Sequence, residues 1–292
     1  MSTRTAAVVA DGLAFPECAR WHGGRWWLVD MHTAVVLSYD PADWSDRVVE
    51  LELVGDPPGS EVRSAGIGFL PDGRLLAVSS LDSTVRRREA DGSVVLHADL
   101  RDVTRGWCND MLVDPAGRAY VGSYGADFRA GEERAPVCLA LVEPDGTARP
   151  VGEPLWFPNG MARTADGTSL VVAESLDRRL SAFTVAPDGS LTDRRLFAAL
   201  PDEVRPDGIA IDAADGVWVA SFATGDCFRV EEGGVITDRV VVPGRLPFAC
   251  GLGGPTGRTL LVCAANTHET PQSLDEMAGV LAVCEVDVPA PA

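Results

Sequence analysis

Residues 205–220 read Arg-Pro-Asp-Gly-Ile-Ala-Ile-Asp-Ala-Ala-Asp-Gly-Val-Trp-Val-Ala, and this stretch decides the fold. A polar residue beside glycine opens a short apolar run, an Asp-Gly turn follows, and a second apolar run begins. Short apolar runs on both sides of an Asp-Gly turn predict a strand, a tight turn and a strand. The same phrase occurs in residues 157–173 and in residues 108–121, so it is a repeating unit.

The glycine that precedes the second apolar run marks the repeat along the chain. It recurs at Gly24, Gly73, Gly117, Gly167, Gly216 and Gly257. These glycines are 41 to 50 residues apart. A period of about 40–50 residues with four short strands is that of a β-propeller blade. The sequence therefore predicts an all-β protein: a six-bladed β-propeller with four-stranded antiparallel blades, in a single domain over residues 1–292.

The two ends of the chain predict how the ring of blades closes. Residues 6–9 form a lone apolar strand before the first repeat, and residues 280–286 form the last strands after the sixth. We expect the N-terminal strand to close the last blade, which removes two exposed sheet edges. The tail, residues 289–292, reads Pro-Ala-Pro-Ala and is expected to fray. The strongest helical segment, residues 273–277, is about one turn long.

The composition excludes several classes of function. The 43 acidic and 25 basic residues give a net charge of −18, which disfavours nucleic acid and anionic membranes as partners. The chain contains no lysine, which excludes Schiff-base catalysis and a Gly-Lys-Ser/Thr phosphate loop. Seven scattered cysteines without a Cys-x-x-Cys pair predict free thiols in a reducing compartment. With no signal-peptide pattern and no apolar run of membrane-spanning length, we expect a soluble cytoplasmic monomer or weak homodimer.

Side chains with oxygen atoms recur at one position of the repeat, about eight residues before the marker glycine. We call it the ring position, because the first strand of each propeller blade lines the central tunnel. From the first blade to the sixth, its occupants are Glu17, Ala65, Asn109, Asn159, Asp207 and Ala249. Two carboxylates and two amides suit a hard divalent cation, Ca²⁺ first, with Mg²⁺ or Mn²⁺ as alternatives. Zn²⁺ usually prefers histidine or cysteine, although oxygen-only zinc binding exists.

The predicted metal ligands are Glu17, Asn159 and Asp207. Asn109 is either a fourth ligand or a residue that holds a water molecule or the substrate. A single Asn-Gly or Asp-Gly is more often a turn than a ligand. Four oxygen donors at one repeat position are not explained by turn formation, so we favour a metal site.

At these residues the chain resembles the SMP-30/gluconolactonase/regucalcin family of six-bladed propellers, over nearly its whole length. The matching segments are Phe15-Pro16-Glu17 with Arg20-Trp21, Asn109-Asp110 with residues 114–118, Pro158-Asn159-Gly160, Pro206-Asp207-Gly208 with residues 218–220, and the segment from Cys250 to Gly254. The resemblance implies a divalent metal, commonly calcium or zinc, on Glu17, Asn159 and Asp207. It implies hydrolysis of lactones, with Asn109 near the substrate and Asp127 at a sugar contact.

Three departures from the family pattern bear on the substrate. Cys18-Ala19 follows the glutamate where many members have Gly-Pro, and Met111 replaces a glycine after Asn-Asp. Trp107 stands where sugar-lactone enzymes have arginine, and an indole cannot donate the hydrogen bonds of a guanidinium fork. Trp107 thus becomes a candidate substrate-binding residue for a less polar substrate. Aromatic residues that either wall such a pocket or pack between blades are Trp107, Tyr124, Trp156, Phe157 and Phe222.

The first functional hypothesis is a metal-dependent lactonase or related esterase that acts on a small-molecule lactone or ester. The metal polarises the ester carbonyl, and Asp207, as ligand and general base, takes a proton from the attacking water. Metal-bound water is the alternative nucleophile. A phosphotriesterase-like hydrolase and a non-catalytic calcium- or ligand-binding propeller remain alternatives. An open tunnel mouth would favour catalysis, whereas a mouth plugged by Trp107 or Met111 would favour structural calcium.

Overall fold

Each repeat of the sequence forms one sheet of a β-propeller. A computed structural model describes residues 2–55 and 59–291, and its strands form six sheets. The innermost strands of neighbouring sheets contact one another around the whole ring, including the contact between the last and the first blade. The predictions of an all-β fold and of six blades built from four antiparallel strands are confirmed.

Within blades one to four the strands follow the chain outward from the tunnel. The first blade contains β3 (Pro16–His22), β4 (Arg25–Asp30), β5 (Val35–Asp40) and β6 (Asp43–Glu52). The second contains β7 (Ser64–Phe69), β8 (Leu75–Ser79), β9 (Thr84–Arg88) and β10 (Val94–Asp99). The third contains β11 (Cys108–Val113), β12 (Ala119–Ser123), β13 (Val137–Val142) and β14 (Ala148–Leu155). The fourth contains β15 (Pro158–Arg163), β16 (Ser169–Glu174), β17 (Arg179–Val185) and β18 (Leu191–Ala199).

The last two blades also take up the N-terminal strands, β1 (Ser2–Thr5) and β2 (Ala7–Leu13). The fifth blade contains β19 (Ile209–Ile211), β20 (Val217–Ser221), β21 (Asp226–Val230) and β22 (Ile236–Val241), with β1 as a fifth strand outside β22. The sixth contains β23 (Leu246–Gly253), β24 (Thr259–Ala265) and β25 (Gly279–Glu285), with β2 outermost.

The N-terminus closes the ring as predicted and also ties two blades together. Strand β2 pairs antiparallel with β25, so that Ala7 lies opposite Val283. Strand β1 pairs parallel with β22, with Thr3 opposite Arg239, which was not foreseen. Two successive strands thus hold neighbouring blades through backbone hydrogen bonds, and they cover an edge in each sheet.

The prediction of a frayed C-terminal tail is wrong for the residues that the structure describes. The carbonyl of Pro289 accepts a hydrogen bond from the amide of Ala213 at 2.8 Å. The amide of Ala290 donates to the carbonyl of Gly257 at 2.7 Å. Proline lacks an amide donor but keeps its carbonyl acceptor, so the tail can still dock on two turns. Ala292 lies outside the described residues.

The core lies between the blades, because each sheet packs both faces against its neighbours. All residues of β8, β12 and β20 are buried. Strands covered on both sides appear in the sequence as continuous apolar runs rather than as an alternating pattern. The second strand of each repeat is therefore recognisable in the sequence as a continuous apolar run.

The turn after the first strand differs in the fifth blade from its counterparts. At the other five markers the glycine itself has a positive φ, for example 86° at Gly73. In the fifth blade Asp215 carries the positive φ, 59°, and Gly216 instead makes room for a side chain. A Cβ at Gly216 would lie 2.1 Å from the guanidinium of Arg229. The marker glycine therefore allows a positive φ in five blades, whereas in the fifth blade it leaves space for the Arg229 side chain.

One helix, α1 (Thr270–Glu276), is found in the part of the chain that the structure describes, between β24 and β25. It has seven residues and begins three residues before the predicted turn at residues 273–277. A proline in its first turn suits a helix start, because the amide it lacks would have no partner there. Among the described residues no helix has the length and apolar character to cross a bilayer.

Candidate metal centre and active site

The ring position lies where each innermost strand begins. Glu17, Asn109 and Asn159 are the second residues of β3, β11 and β15, and Asp207 lies two residues before β19. In five of the six innermost strands the pairing register shifts at or beside the ring position. Such β-bulges bend a strand and redirect its side chains. In those five blades the bulge redirects the chain at the ring position, and the four ring-position residues with side-chain oxygens, Glu17, Asn109, Asn159 and Asp207, line one cavity.

The backbone of Asp207 is held by strands on both sides. Its amide donates to the carbonyl of Ala220 at 3.0 Å, and its carbonyl accepts from the amide of Gly160 at 3.2 Å. The next residue, Gly208, donates to the carbonyl of Phe248 at 2.9 Å. Asp207 is thus fixed to the fourth, fifth and sixth blades although it lies outside a regular strand.

Gly160 permits the close approach of the fourth and fifth blades. A Cβ at this position would lie 2.5 Å from the amide nitrogen of Ile209 and 2.6 Å from the carbonyl oxygen of Asp207. Both are backbone atoms, which cannot rotate away. A glycine directly after the ligand Asn159 is therefore a packing requirement as well as a turn signal.

We expect Gly160→Ala to disturb the metal site through the backbone. The added methyl group must push Asp207 and Ile209 away, which should lower the free energy of unfolding by about 1–3 kcal/mol. Because Asp207 moves relative to Asn159, the affinity for divalent cations should also fall. Thermal unfolding with and without Ca²⁺ measures both effects. An unchanged melting temperature together with an unchanged calcium-induced shift would contradict this account.

Two of the predicted ligands are joined directly. The Asn159 side-chain amide donates to Asp207 Oδ1 at 2.6 Å and to Ser175 Oγ at 3.2 Å. Ser175 in turn donates to the carbonyl of Pro206 at 2.7 Å, which links this pair back to the Asp207 segment. Glu17 Oε2 accepts a hydrogen bond from the amide of Cys18 at 3.1 Å. Glu17 Oε1, Asp207 Oδ2 and Asn159 Oδ1 accept no hydrogen bond from the described residues.

The carboxylates of Glu17 and Asp207 are both desolvated by burial, and repulsion between neighbouring carboxylates further disfavours their charged forms. Burial, the Asp207 carboxylate and the Asp110 carboxylate raise the pKa of Glu17 well above its usual value. Burial raises the pKa of Asp207 to about 7, even though the hydrogen bond from Asn159 opposes the shift. The nearest cation, Arg20, already pairs with Asp110, at 2.9 Å between Nη2 and Oδ1. Arg20 thus only partly offsets the burial and the two carboxylates that raise the pKa of Glu17, and the shift of Asp207 is opposed only by the Asn159 hydrogen bond.

This donor set fits a hard divalent cation. No group of three or more His, Cys, Asp or Glu side chains among the described residues is arranged to hold a metal ion by itself, so amide oxygens would have to contribute to a site here. What converges instead is two carboxylates and an amide, with oxygen atoms that have no protein donor. A divalent cation would supply the charge that the carboxylates lack. Asn109 lines the same cavity and makes no side-chain hydrogen bond with a described residue.

The ring-position side chains form the floor of a cavity of about 890 Å³. Four of the five aromatic residues suggested as pocket walls line it, namely Trp107, Tyr124, Phe157 and Phe222. Trp156 does not; it is 37% exposed. The Tyr124 and Phe157 rings stack with centroids 4.6 Å apart, and Trp107 meets Phe128 edge-on at 5.2 Å. The cavity is therefore polar at its floor and aromatic on its walls.

Asp127 is not brought into this cavity. It is absent from the lining residues, and its Oδ1 accepts hydrogen bonds from the amides of Arg129 and Ala130, at 2.9 and 3.2 Å. These contacts shape the loop between β12 and β13. The placement gives Asp127 a local structural role and no direct path to a ligand on the cavity floor.

Other cavity residues were missed, although a simple count would have found them. Two residues before the ring position, five of the six blades place a side chain in the cavity lining. From the first blade to the fifth these residues are Phe15, Arg63, Trp107, Phe157 and Arg205. Trp107 and Phe157 were named from the sequence as candidate pocket residues, whereas Phe15, Arg63 and Arg205 were not. Arg134 lies in the β12–β13 loop, which is much longer than the corresponding loops of every other blade except the sixth, so repeat-based reasoning could not place it.

Comparison with known proteins places the chain among propellers. The family model described as SMP-30/Gluconolactonase/LRE-like region matches residues 15–266. A pentonolactonase of Haloferax volcanii is 27% identical over 94% of this chain and 91% of its own length. A regucalcin of Xenopus laevis is 27% identical over 90% of this chain and 87% of its own length. The solved structure of a calcium-binding regucalcin from Agrobacterium tumefaciens has a TM-score of 0.80 at 20% identity and covers 99% of this chain and 97% of its own.

Proposed function

The chain belongs to the SMP-30/gluconolactonase/LRE-like family, and from this premise we propose that it is a divalent-metal-dependent lactonase. One observation carries the proposal: Glu17, Asn159 and Asp207 line one cavity of about 890 Å³, in which the Asn159 amide bonds Asp207 and the Asp207 carboxylate raises the pKa of Glu17. The pentonolactonase among its relatives supports a cyclic ester as substrate.

Glu17, Asn159 and Asp207 would hold the metal, with Asn109 as a possible fourth ligand. Oxygen-only donors favour Ca²⁺, and Mg²⁺, Mn²⁺ and Zn²⁺ are the alternatives to be tested. The bound cation would supply Lewis-acid polarisation of the lactone carbonyl.

Asp207 is the candidate general base. Its Oδ1 is held by the Asn159 amide at 2.6 Å, whereas Oδ2 has no donor among the described residues and is free to accept a proton. A carboxylate within reach of the attacking water can act as a general base, and a cation bound beside it would keep it ionised at neutral pH. In this scheme Oδ2 takes a proton from the water that attacks the ring carbonyl. Asn109, on the same floor, would donate a hydrogen bond to the substrate.

The open cavity favours catalysis over a purely structural metal site. Met111 is fully buried, and Trp107 stands in the wall beside Tyr124 and Phe128. A volume of about 890 Å³ above the metal ligands is in the range of small-molecule sites. A cation that only stabilised the fold would not need such a space.

The decisive experiment is a lactone panel with protein treated with EDTA and then given single metals. We expect neutral lactones such as dihydrocoumarin and pentonolactones to be hydrolysed only after a divalent cation is restored. The same cation should raise the melting temperature, because binding at 100 times the dissociation constant stabilises the fold by about 2.7 kcal/mol. Undiminished turnover in EDTA would overturn metal dependence. A metal-induced stabilisation without turnover of any lactone would overturn the lactonase proposal and leave a binding protein.

A further inference from the structure

Arginine and aromatic side chains form a continuous ladder along one wall of the cavity. The guanidinium of Arg63 lies 5.7 Å from the centre of the Trp107 ring. Trp107 contacts Phe128 at 5.2 Å, and Arg134 lies 5.1 Å from the Phe128 ring. Arg134 also lies 5.0 Å from the Phe157 ring, which stacks on Tyr124. The ladder thus joins four loops: those that precede β7, β11 and β15, and the β12–β13 loop of the third blade.

The ladder carries more positive charge than its acidic neighbours can balance. Glu61 is shared by two arginines, at 3.3 Å from Arg63 and 2.6 Å from Arg129. Arg134 has no carboxylate partner among residues 2–55 and 59–291, and burial lowers the pKa of its guanidinium. Arg63 Nε is buried and has no hydrogen-bond partner among the described residues. Arg63 and Arg129 therefore share one carboxylate, and Arg134 has none among the described residues.

This surplus is unusual for the protein. The chain has a net charge of −18, and most of its arginines lie within ion-pair distance of a carboxylate. A half-solvated guanidinium over an aromatic face gains only a modest cation–π energy, on the order of 1 kcal/mol. In an acidic protein, unpaired arginines that face a cavity point to an anion brought by a ligand.

The arginines and the metal ligands face the same cavity. Arg63, Arg134, Glu17 and Asp207 all line it. Tyr124 lies within electrostatic range of all four, because Asp207 and Glu17 raise its pKa while Arg63 and Arg134 lower it. Acidic side chains are also present at the rim, Glu203 and Glu269, but both are exposed, and neither forms an ion pair with a ladder arginine. One ligand can therefore contact the metal floor and the ladder together.

We propose that the substrate is an aromatic lactone with a carboxylate group, whose ring packs on Trp107 and Phe157 while Arg134 and Arg63 bind the carboxylate. This inference rests on the proposed lactonase function, since it assigns the substrate class of the same site. The lactone carbonyl lies at the metal floor, and the second, non-reacting carboxylate lies against the ladder.

Binding of lactam analogues tests the inference without requiring turnover. The probes are 2-oxo-1,2,3,4-tetrahydroquinoline-6-carboxylate and its neutral methyl ester, measured by calorimetry on the calcium-loaded protein. A charge-assisted contact predicts that the carboxylate binds about tenfold to a hundredfold more tightly than the ester. The preference should shrink at high ionic strength. Equal affinity of the two probes, or binding of neither, would overturn the inference.

Substitution of single arginines tests which side chain causes the preference for the carboxylate probe. Arg134→Gln should reduce the preference for the carboxylate by about tenfold or more and leave binding of the ester unchanged. Arg129→Gln is the control, because it removes a guanidinium that lies over Trp107 but does not line the cavity. An identical carboxylate preference in wild type and Arg134→Gln would overturn the assignment. The wild-type comparison of acid and ester remains decisive even if a variant fails to fold.

The two proposals fail in different ways. If dihydrocoumarin is hydrolysed with metal but the carboxylate probe has no advantage, the lactonase stands and the substrate class is wrong. If the carboxylate probe binds preferentially but no lactone is opened, the anion site stands and the lactonase function is wrong.

Discussion

Asp207→Asn is expected to lower kcat/KM for a neutral lactone by about a thousandfold or more. The substitution preserves size and the contact with Asn159, so the fold should persist. It removes the only cavity-floor carboxylate that the Asn159 amide holds, at 2.6 Å, and with it a candidate base and a metal ligand. Loss of a general base alone typically costs a factor of about 10²–10⁴. Steady-state hydrolysis of dihydrocoumarin with saturating calcium measures the change.

Asp145→Asn is the matched control for this experiment. Asp145 is an exposed turn residue whose Oδ1 accepts a hydrogen bond from Thr147, and asparagine keeps that acceptor. We expect its kcat/KM to equal that of wild type. Activity of Asp207→Asn within tenfold of wild type would remove Asp207 from both of its proposed roles.

Asp207→Asn should also be more stable than wild type when metal is removed. In the folded protein, burial raises the pKa of Asp207 to about 7, against about 4 in an unfolded chain. Below about pH 4 the Asp207 carboxyl is protonated in both the folded and the unfolded state, so it does not lower the free energy of unfolding. Between about pH 4 and 7 the unfolded chain releases the proton first, so the folded state is progressively destabilised, and above about pH 7 the cost is complete. In EDTA, the melting temperature of Asp207→Asn should exceed that of wild type at pH 8, by a margin that narrows at pH 5.5.

With calcium at pH 8, wild type should melt at a higher temperature than Asp207→Asn, because only wild type keeps the carboxylate ligand at residue 207. A metal-free Asp207→Asn protein that melts below metal-free wild type at pH 8 would contradict the electrostatic account of the site.

Asp212→Ala is expected to cause the largest loss of stability away from the cavity. Asp212 is fully buried at the end of β19, and its Oδ2 accepts from Arg229 Nε at 2.6 Å. Its Oδ1 accepts from the amides of Ala214 and Gly216, at 2.9 and 3.0 Å. Removal of the carboxylate leaves a buried guanidinium and two amides without their acceptor. Breaking such a pair costs about 3–5 kcal/mol, which for a chain of this size is a fall in melting temperature of roughly 10 °C.

Asp202→Ala serves as the comparison, because its side chain is 97% exposed and lies 3.7 Å from Arg178. An exposed ion pair of this kind contributes at most about 1 kcal/mol. Chemical denaturation of both variants gives the two free energies of unfolding. Equal destabilisation by the two substitutions would show that burial of the Asp212 pair does not matter.

The ring position illustrates how far repeat symmetry extends a local signal. Each strand and turn was predictable because short apolar runs and Asp-Gly turns depend on neighbouring residues only. Equivalent positions in successive blades must then face the same tunnel end, which placed Glu17, Asn159 and Asp207 together although they are far apart in the chain. The structure brings Asn159 and Asp207 into direct contact, and it lines one cavity with all three residues.

Features outside the repeat could not be derived in this way. The β12–β13 loop is much longer than the corresponding loops of every other blade except the sixth, so neither the turn formed by Asp127 nor the position of Arg134 over Phe157 follows from a period. The parallel pairing of β1 with β22 joins residues at opposite ends of the chain and has no local sequence signal. The shared use of Glu61 by two arginines likewise depends on how separate loops approach one another.

The sequence alone thus determined the number of blades, the closure of the last blade by the N-terminal strand and the set of oxygen donors at the ring position. These features depend on local backbone preferences that the repeat copies around an axis. Only the tertiary structure decided how deeply Glu17 and Asp207 are desolvated, and which arginines and aromatic rings stand above them. Burial and charge compensation depend on contacts between blades and between unrelated loops, and a residue's sequence neighbours do not specify those contacts.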